Sequence, residues 1–558
     1  MQSPHSHQPL LIADDPALDA YMADVHGKNF ASRRDGGIAL ADWLASGDDA
    51  EERSYRHAER LGLPLVRLPE VAVDPQVAAL LRPEQARQLR VVPLRLHNGL
   101  LAAAMEDPTS QQAMAALEFA TAHHVLPMVA SARGIREAIA HSYDLAEDRE
   151  TVRQLGLDPH AAGIESEAEA NRLAREQPIV RLVHGLIADA VARRASDIHL
   201  RPGEHDTDVL FRIDDELVPV RSLMRALHPA AISRVKVLGA MNLAEHRLPQ
   251  DGRTSFVLDN GGKVDLRISI LPTVNGESAV VRLLDPREGL WNLDQLGLSE
   301  ADKLRVDDVM TRSHGMFLTT GPTGCGKSTT LYAMLLEMRK QRINILTIED
   351  PVEFHIAEIQ QMQVNRAAGF TFASAMRNFL RHDPDVIMVG EIRDHETAGI
   401  AVESALTGHL MLSTLHTNTA ATTVTRLLDL GVEPYLLRAS LLAVMSQRLV
   451  RLTCAHCREV EQVPARIREA LGVAADDVFH AGRGCAQCEG LGVHGRRAVY
   501  ELLVMSPRLR ELVVPGAEAD TIHRVAVEEG MVPITQAAVA LARSGEISLS
   551  EAWRVRAD

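Results

Sequence analysis

The segment Gly321-Pro-Thr-Gly-Cys-Gly-Lys-Ser328 constrains this chain more than any other. It has the spacing G-x-x-x-x-G-K-[ST] of a phosphate-binding P-loop. Glycines there let the backbone curl so that successive N–H groups face phosphate oxygens, a lysine reaches the β- and γ-phosphates, and the next hydroxyl ligates Mg²⁺. We therefore assign Gly321, Pro322, Thr323, Gly324, Cys325, Gly326, Lys327, Ser328 and Thr329 to a cradle for ATP, with Ser328 on the Mg²⁺. The context agrees. Met316–Thr320 reads as a strand running into the loop, and Lys327–Arg339 as a helix whose N-terminus faces the phosphates.

The remaining composition narrows the class. The 558 residues suggest three or four domains, and the apolar content of 46% is enough for several cores. A net charge of −16 argues against a nucleic acid backbone as the main partner. Residues 1–30 hold Asp14, Asp15, Asp19 and Asp24 and lack the apolar core of a signal peptide. No run approaches the roughly 18 apolar residues of a membrane helix. The expectation is a cytosolic protein, or one peripheral to a membrane, without direct membrane insertion. Cys325 lies in the P-loop, and the other four of the five cysteines form two C-x-x-C pairs, which favour a metal over disulfides in such a compartment.

Along the chain, residues 1–55 are acidic and poorly patterned and read as a mobile or loosely packed lead. Residues 56–145 alternate apolar runs (Val91–Leu94, Leu100–Ala104) with helical patterns (Ala113–Leu117), as a small α/β domain does. Residues 146–177 are charged and read as a linker. Pro178 opens a helix carrying Ile179, Leu182, Val183, Leu186, Ile187 and Val191 on one face. Asp208–Ile213, Thr254–Leu258, Val264–Ile270 and Ser278–Leu284 are strand candidates in an upstream domain, 178–288. From about 289 onwards strands and helices alternate, as expected of an open, mainly parallel sheet; a cysteine module at 448–500 and a helical C-terminal region complete the chain.

Acids and histidines recur at strand ends around the P-loop. Ile345-Leu-Thr-Ile-Glu-Asp-Pro-Val-Glu353 places Glu349, Asp350 and Glu353 beyond an apolar strand. Asp385-Val-Ile-Met-Val-Gly-Glu-Ile-Arg393 ends in Glu391, Walker-B-like with Glu for the usual Asp. Thr407-Gly-His-Leu-Met-Leu-Ser-Thr-Leu-His416 carries His409 and His416 on either side of a buried strand pattern. Acids in such places hold Mg²⁺ through water or polarise the attacking water.

These motifs, together with ASDIHLRP (Ala195–Pro202), RLPQDGR (Arg247–Arg253), DLRISILPTVNGESAVVRLLD (Asp265–Asp285) and Gln447-Arg-Leu449, resemble the secretion ATPase superfamily of type II secretion and type IV pilus motors. The resemblance covers roughly residues 175–505, and residues 60–145 resemble, more weakly, the domain with which such ATPases dock on a membrane platform protein. It implies a RecA-like P-loop domain with a parallel-sheet core, preceded by a PAS-like α/β domain and an amino-terminal docking domain. It assigns Glu353 to water activation, Glu391 to the Walker B role, and His416 to sensing the γ-phosphate with support from His409. Glu349 and Asp350 share the metal or orient Glu353. Arg267 and Arg282 of the upstream domain, and Arg377 and Arg381 spaced one helical turn apart, lie near the nucleotide by the same resemblance; for Arg381 a structural role weighs about equally. An arginine supplied from a neighbouring domain or subunit is worth about 10³–10⁵ in rate.

The resemblance further implies a homohexamer and, as partners, an inner-membrane platform protein with its associated membrane protein. Cys454, Cys457, Cys485 and Cys488 form a tetracysteine site for structural Zn²⁺ of the kind found in the secretion and assembly branch. Arg212-Ile-Asp-Asp215 departs from the family's Arg-x-Asp-Gly turn, and Val493-His494 from a usual aromatic before Gly495-Arg496. The amino-terminal domain lacks a convincing copy of the longer cyclic di-GMP motif, so that ligand is not expected. The leading function is an ATPase motor for pseudopilus assembly and type II secretion, the alternative a type IV pilus assembly motor. A non-hydrolysing nucleotide-dependent scaffold and a nucleic acid translocase stand as readings of other classes.

Overall fold

Short apolar runs in the first third of the chain pair into a five-stranded sheet. It contains β1 (Leu11–Ile12), β2 (Leu65–Val66), β3 (Val91–His97), β4 (Leu100–Met105) and β5 (His124–Val129) in the order β1-β2-β5-β4-β3. The structure is a computed structural model and describes residues 9–25, 49–68, 70–139, 142–143, 145–157, 169, 172–258, 261–284, 291–488 and 490–556. It divides into two units, Met1–Leu284 with the short segment Arg483–Gly490, and Asp285–Gly482 with Leu491–Asp558.

Two expectations for the first unit need correction. The lead segment is not wholly loose. β1 pairs with β2, and the helix Asp15–Val25 buries Leu18, Tyr21 and Met22 in the core of the amino-terminal domain. Their i, i+3, i+4 spacing is a helical stripe that the surrounding acids obscured. Arg95 answers one of those acids, Asp15, at 2.7 Å. Residues 26–48 of that segment lie outside the described residues. The linker likewise begins with a packed helix, Leu145–Leu155, whose Val152 and Leu155 join Ile179, Ala226 and Leu227. Its Asp148 is buried, and accepts from Arg221 Nη2 at 2.8 Å and the Met224 N–H at 2.7 Å. A paired charge can be buried where an unpaired one cannot. Residues 158–168 and the expected boundary at 288–289 lie outside the described residues.

The rest of the first unit is an antiparallel sheet in the order β8-β7-β6-β11-β10-β9. Its strands are β6 (Asp197–Pro202), β7 (Asp206–Ile213), β8 (Glu216–Met224), β9 (Gln250–Val257), β10 (Lys263–Thr273) and β11 (Gly276–Leu284). Along β10, Val264, Leu266, Ile268 and Ile270 face the core while Arg267 and Ser269 face away, the period of two expected of a half-buried strand. The helix Gln177–Ala192 starts with Pro178 in its first turn and lays Ile179, Val183, Leu186 and Ile187 into that core. The departure at Asp215 is absorbed locally. Asp214 (φ 46°) and Asp215 (φ 69°) make the two-residue hairpin between β7 and β8, a left-handed pair that Asp tolerates.

The second unit is built on a seven-stranded sheet in the order β14-β13-β15-β16-β12-β17-β20. The strands are β12 (Gly315–Thr320), β13 (Ile345–Glu349), β14 (Gln360–Gln363), β15 (Val386–Val389), β16 (Leu410–Leu415), β17 (Leu441–Thr453) and, after the small β18 (Arg458–Val460) and β19 (His480–Gly482) pair, β20 (Val493–Val504). All pairings are parallel except β17–β20. Strands β12 and β16 are buried along their whole length, as parallel strands covered on both faces are. The expected C-terminal helices are Pro507–Leu512, Ala519–Glu528, Ile534–Arg543 and Leu549–Arg554. Among the described residues no helix is long and apolar enough to cross a membrane.

Candidate nucleotide and metal sites

The P-loop joins β12 to the helix Lys327–Met338, at the carboxyl end of the parallel strands where ligands of open α/β sheets sit. Gly321 (φ 141°), Gly324 (φ 78°) and Gly326 (φ 91°) provide the turns that other residues resist. Lys327 is buried, and its Nζ donates to the Gly321 carbonyl at 2.8 Å and the Pro322 carbonyl at 3.0 Å. Burial holds the Lys327 pKa below the usual lysine range. Ser328 is exposed, with Thr329 partly so.

Two strand ends beside the loop supply its neighbours. His416 follows β16, and its Nδ1 lies 3.5 Å from Lys327 Nζ. Its Nε2 lies 3.4 Å from Oε2 of Glu391, which follows β15 and also pairs with Arg393. Thr320, the last residue of β12, accepts the Thr417 N–H at 2.9 Å, so the loop after His416 is tied to the P-loop strand. Lys327, His416 and Glu391 are thus drawn together at one end of the sheet.

The acids after β13 divide their roles. Glu349 is buried; its carboxylate accepts from the Tyr332 hydroxyl, from Thr347 Oγ1 at 2.7 Å and from Gln361 Nε2 at 3.2 Å. Burial raises its pKa. The same Tyr332 oxygen accepts the Glu353 N–H at 3.2 Å. Tyr332 thus bridges the Glu349 carboxylate and the Glu353 backbone. Asp350 pairs with Arg366 at 2.9 Å.

Other assigned residues fall elsewhere. His409 precedes β16, at the end opposite His416, where its carbonyl accepts the Gly315 N–H and its Nδ1 meets the Ser404 carbonyl at 3.0 Å. A six-residue strand spans roughly 20 Å, so His409 does not support the His416 loop directly. The two histidines look alike in sequence, but the strand between them puts them at opposite ends of β16. Arg377 pairs with Glu396, and Arg381 with the Asn378 side chain and the Arg377 carbonyl. Arg267 and Arg282 lie in the first unit, directly opposite one another across β10 and β11. Arg253 continues the row across β9, and Asp197 on β6 closes its far end, 2.9 Å from Arg282 Nε. Sequence reasoning missed Arg253 as a member of this row, because strand register carries the signal. It also gave no role to Gln447 or Glu501. Glu501 is buried and accepts the N–H groups of Ala420 at 2.7 Å and Ile534 at 3.3 Å, at the starts of two helices. A buried acid reading as a strand residue gives no cue to that function in sequence.

The sulfurs of Cys454, Cys457, Cys485 and Cys488 lie within 4.8 Å of one another. Cys485 Sγ and Cys488 Sγ are 3.7 Å apart. A tetrahedron with metal–sulfur bonds of about 2.3 Å has edges of about 3.8 Å, so the residues fit a single tetrahedral ion. Beside them Ile467, Val473 and Phe479 pack with Ile534, Val539 and Leu549 of the C-terminal helices.

A P-loop on a mainly parallel sheet, with an acid and a histidine at adjacent strand ends, defines a RecA-like P-loop ATPase. More particularly, the chain belongs to the family described as "Type II/IV secretion system protein", matched over residues 172–554, and residues 61–149 match the MshEN domain. It is 40% identical over 531 residues to the type IV pilus assembly ATPase PilB of Thermus thermophilus, covering 93% of this chain and 59% of that protein. It is 45% identical over 389 residues to type II secretion system protein E of Pseudomonas aeruginosa, covering 68% of this chain and 76% of that protein. The chain therefore spans less than two thirds of the Thermus relative's length. Its fold is shared by the Legionella pneumophila ATPase DotB, at a TM-score of 0.51 and 22% identity over 66% of this chain and 94% of that one.

Proposed function

We propose that this chain is a homohexameric motor that hydrolyses ATP in the cytoplasm to drive pseudopilus assembly and protein export by a type II secretion system. The convergence of Lys327, His416 and Glu391 at one end of the parallel sheet carries this reading. A scaffold that only held nucleotide would have no need of an acid beside a phosphate-sensing histidine.

The work divides among the residues as follows. Lys327 exchanges the Gly321 and Pro322 carbonyls for β- and γ-phosphate oxygens and offsets their charge. Ser328 and Glu391 would hold Mg²⁺, which would supply charge neutralisation across the phosphates. Glu353, steadied by Tyr332, takes the proton of the attacking water. His416 hydrogen-bonds the γ-phosphate and passes its presence or loss to Glu391 and to the Thr417 loop. Arg253, Arg267 and Arg282, aligned on one sheet face, supply the remaining positive charge when the first unit of the same or a neighbouring subunit closes on the site. The four cysteines hold one structural Zn²⁺. The amino-terminal domain docks on the platform protein of the inner membrane.

Phosphate release from MgATP by the purified chain tests the motor. Activity should rise with protein concentration as rings assemble, and Lys327→Ala should abolish both binding and turnover. Activity per chain that stays flat from dilute monomer to saturation would sink the ring. The second reading, type IV pilus assembly, is favoured by the breadth of the Thermus match. Deletion of the gene separates the two: loss of exported protein with pili intact supports secretion, and the reverse supports the pilus.

A further inference from the structure

We infer that Gln447 is a positioning residue for the triphosphate: by holding the Cys325 carbonyl it aims the Gly326 N–H into the phosphate cradle. This rests on the nucleotide reading above. Gln447 stands on β17, beside the P-loop strand, and is 1% exposed. Its Nε2 donates to the Cys325 carbonyl at 2.8 Å. The carbonyl can only accept, which fixes the amide the right way round, and leaves Oε1 to accept the Thr330 hydroxyl at 3.0 Å.

The consequence follows from the peptide plane. In a trans peptide the carbonyl and the next N–H point to opposite sides. Pulling the Cys325 oxygen towards Gln447 therefore turns the Gly326 N–H away from β17 and towards the loop interior. Glycine is required there on two grounds: its φ is 91°, and a Cβ would sit 3.0 Å from Gln447 Nε2. The other end of the loop rests on the same strand residue, since a Cβ on Gly321 would fall 2.5 Å from the Gln447 carbonyl oxygen. Alternation along β17 then sends its neighbours to the opposite face. There Ser446 Oγ and Arg448 Nη2 donate to the Asn418 carbonyl at 3.1 and 3.0 Å, two residues beyond His416. One strand thus touches both loops: Gln447 holds the phosphate loop, Ser446 and Arg448 hold the loop after His416, and Arg448 Nη1 also lies 3.3 Å from where a Cβ on Gly321 would sit. An apolar side chain at 447 would fill the space but leave the Cys325 carbonyl buried without a donor, and the peptide free to turn.

The test uses the full chain. Gln447→Met keeps the volume and removes the donor. Its Kd for MgADP and KM for MgATP should rise about tenfold, the size expected of one lost buried hydrogen bond, with kcat within about threefold of wild type. Thr330→Val, which only frees the amide to rotate, should raise the same constants less, and should add nothing to Gln447→Met. Unchanged Kd and KM in Gln447→Met overturn the inference, as does a fall in kcat at constant KM, or effects of the two substitutions that multiply. Should Gln447→Met fail to fold, Thr330→Val decides alone, and a wild-type Kd there overturns it. Wild-type protein that binds no MgADP at all removes the nucleotide reading itself, and this inference with it.

Discussion

His416 Nε2 lies 3.4 Å from Glu391 Oε2, while the other ring nitrogen faces Lys327. An ammonium can only donate, so Nδ1 is the acceptor and Nε2 carries the proton towards Glu391; the tautomer is assigned from these partners. The imidazole is therefore a link between the P-loop lysine and the acid that follows β15. Glu391→Gln should leave MgATP binding near wild type and lower kcat by about 10²–10³. His416→Ala should lower kcat less, and the double variant should lose little beyond Glu391→Gln alone. Steady-state kinetics with an independent binding measurement checks this; additive losses would separate the two residues.

Glu349 and Glu353 meet on opposite sides of one hydroxyl. Tyr332 donates to the Glu349 carboxylate and accepts the Glu353 N–H. Glu353→Gln should bind ATP and lose turnover by about 10²–10⁴, as removal of a general base does. Tyr332→Phe should leave a buried carboxylate and an N–H short of a partner, at about 1–3 kcal/mol of stability, and lower kcat through misplacement of Glu353. Thermal unfolding and kinetics together read both effects. Equal turnover in wild type and Glu353→Gln would take Glu353 out of its role.

The P-loop, the strands and helix around it and the two C-x-x-C pairs were legible because each depends on local spacing. Strand β12 and the helix after the loop came within a residue or two of their observed bounds. What resisted reading depends on pairing across the chain. Asp148 looked like a linker charge until Arg221, 73 residues away, neutralised it. The helix Asp15–Val25 looked loose because Asp15, Asp19 and Asp24 interrupt its buried stripe of Leu18, Tyr21 and Met22. Arg253 looked like one end of a loop motif until antiparallel register placed it opposite Arg267. His409 and His416 looked like a pair, and the strand between them holds them apart.

The arginine row makes a separate prediction. Arg267 and Arg282 face each other in register, and Asp197 pairs with Arg282 at 2.9 Å. Arg267→Ala should lower kcat by about 10³ or more while ADP binding, carried by the P-loop, changes little. Arg282→Ala should also leave Asp197, which is nearly buried, resting on Ser196 Oγ at 2.7 Å and Arg212 Nε at 3.8 Å, and so lose some thermal stability as well as turnover. Arg267→Ala with full turnover in an assembled ring would exclude the row from catalysis.

If the four cysteines hold one ion, the metal links segments 27 residues apart in sequence. Protein purified without chelator should carry one Zn²⁺ per chain by elemental analysis. Cys454→Ser and Cys485→Ser should each lose the ion and lower the unfolding temperature, because metal-binding free energy is folding free energy in such modules. MgADP binding by the P-loop should persist. Free thiols reacting fully in the native protein, without metal release, would contradict the assignment.

His228 gives the fold a defined weakness in acid. It is buried in the first unit, its Nε2 lies 2.9 Å from the Glu277 carbonyl, and its Nδ1 has no hydrogen-bond partner among the described residues. The ring is therefore neutral, with Nε2 donating, and burial pushes its pKa down to about 4. In the unfolded chain the same ring titrates near 6.5. Between those values the unfolded state binds more protons than the folded one, so stability rises with pH across the window. Nothing is lost above about pH 7. As pH falls through 6.5 the fold weakens, by about 2 kcal/mol at pH 5, and the loss levels off below about pH 4. His228→Gln keeps an N–H for the Glu277 carbonyl and does not titrate. Thermal unfolding of the two proteins between pH 8 and pH 5 should show a steeper acid fall in wild type, and parallel curves would mean that His228 is already charged in the fold.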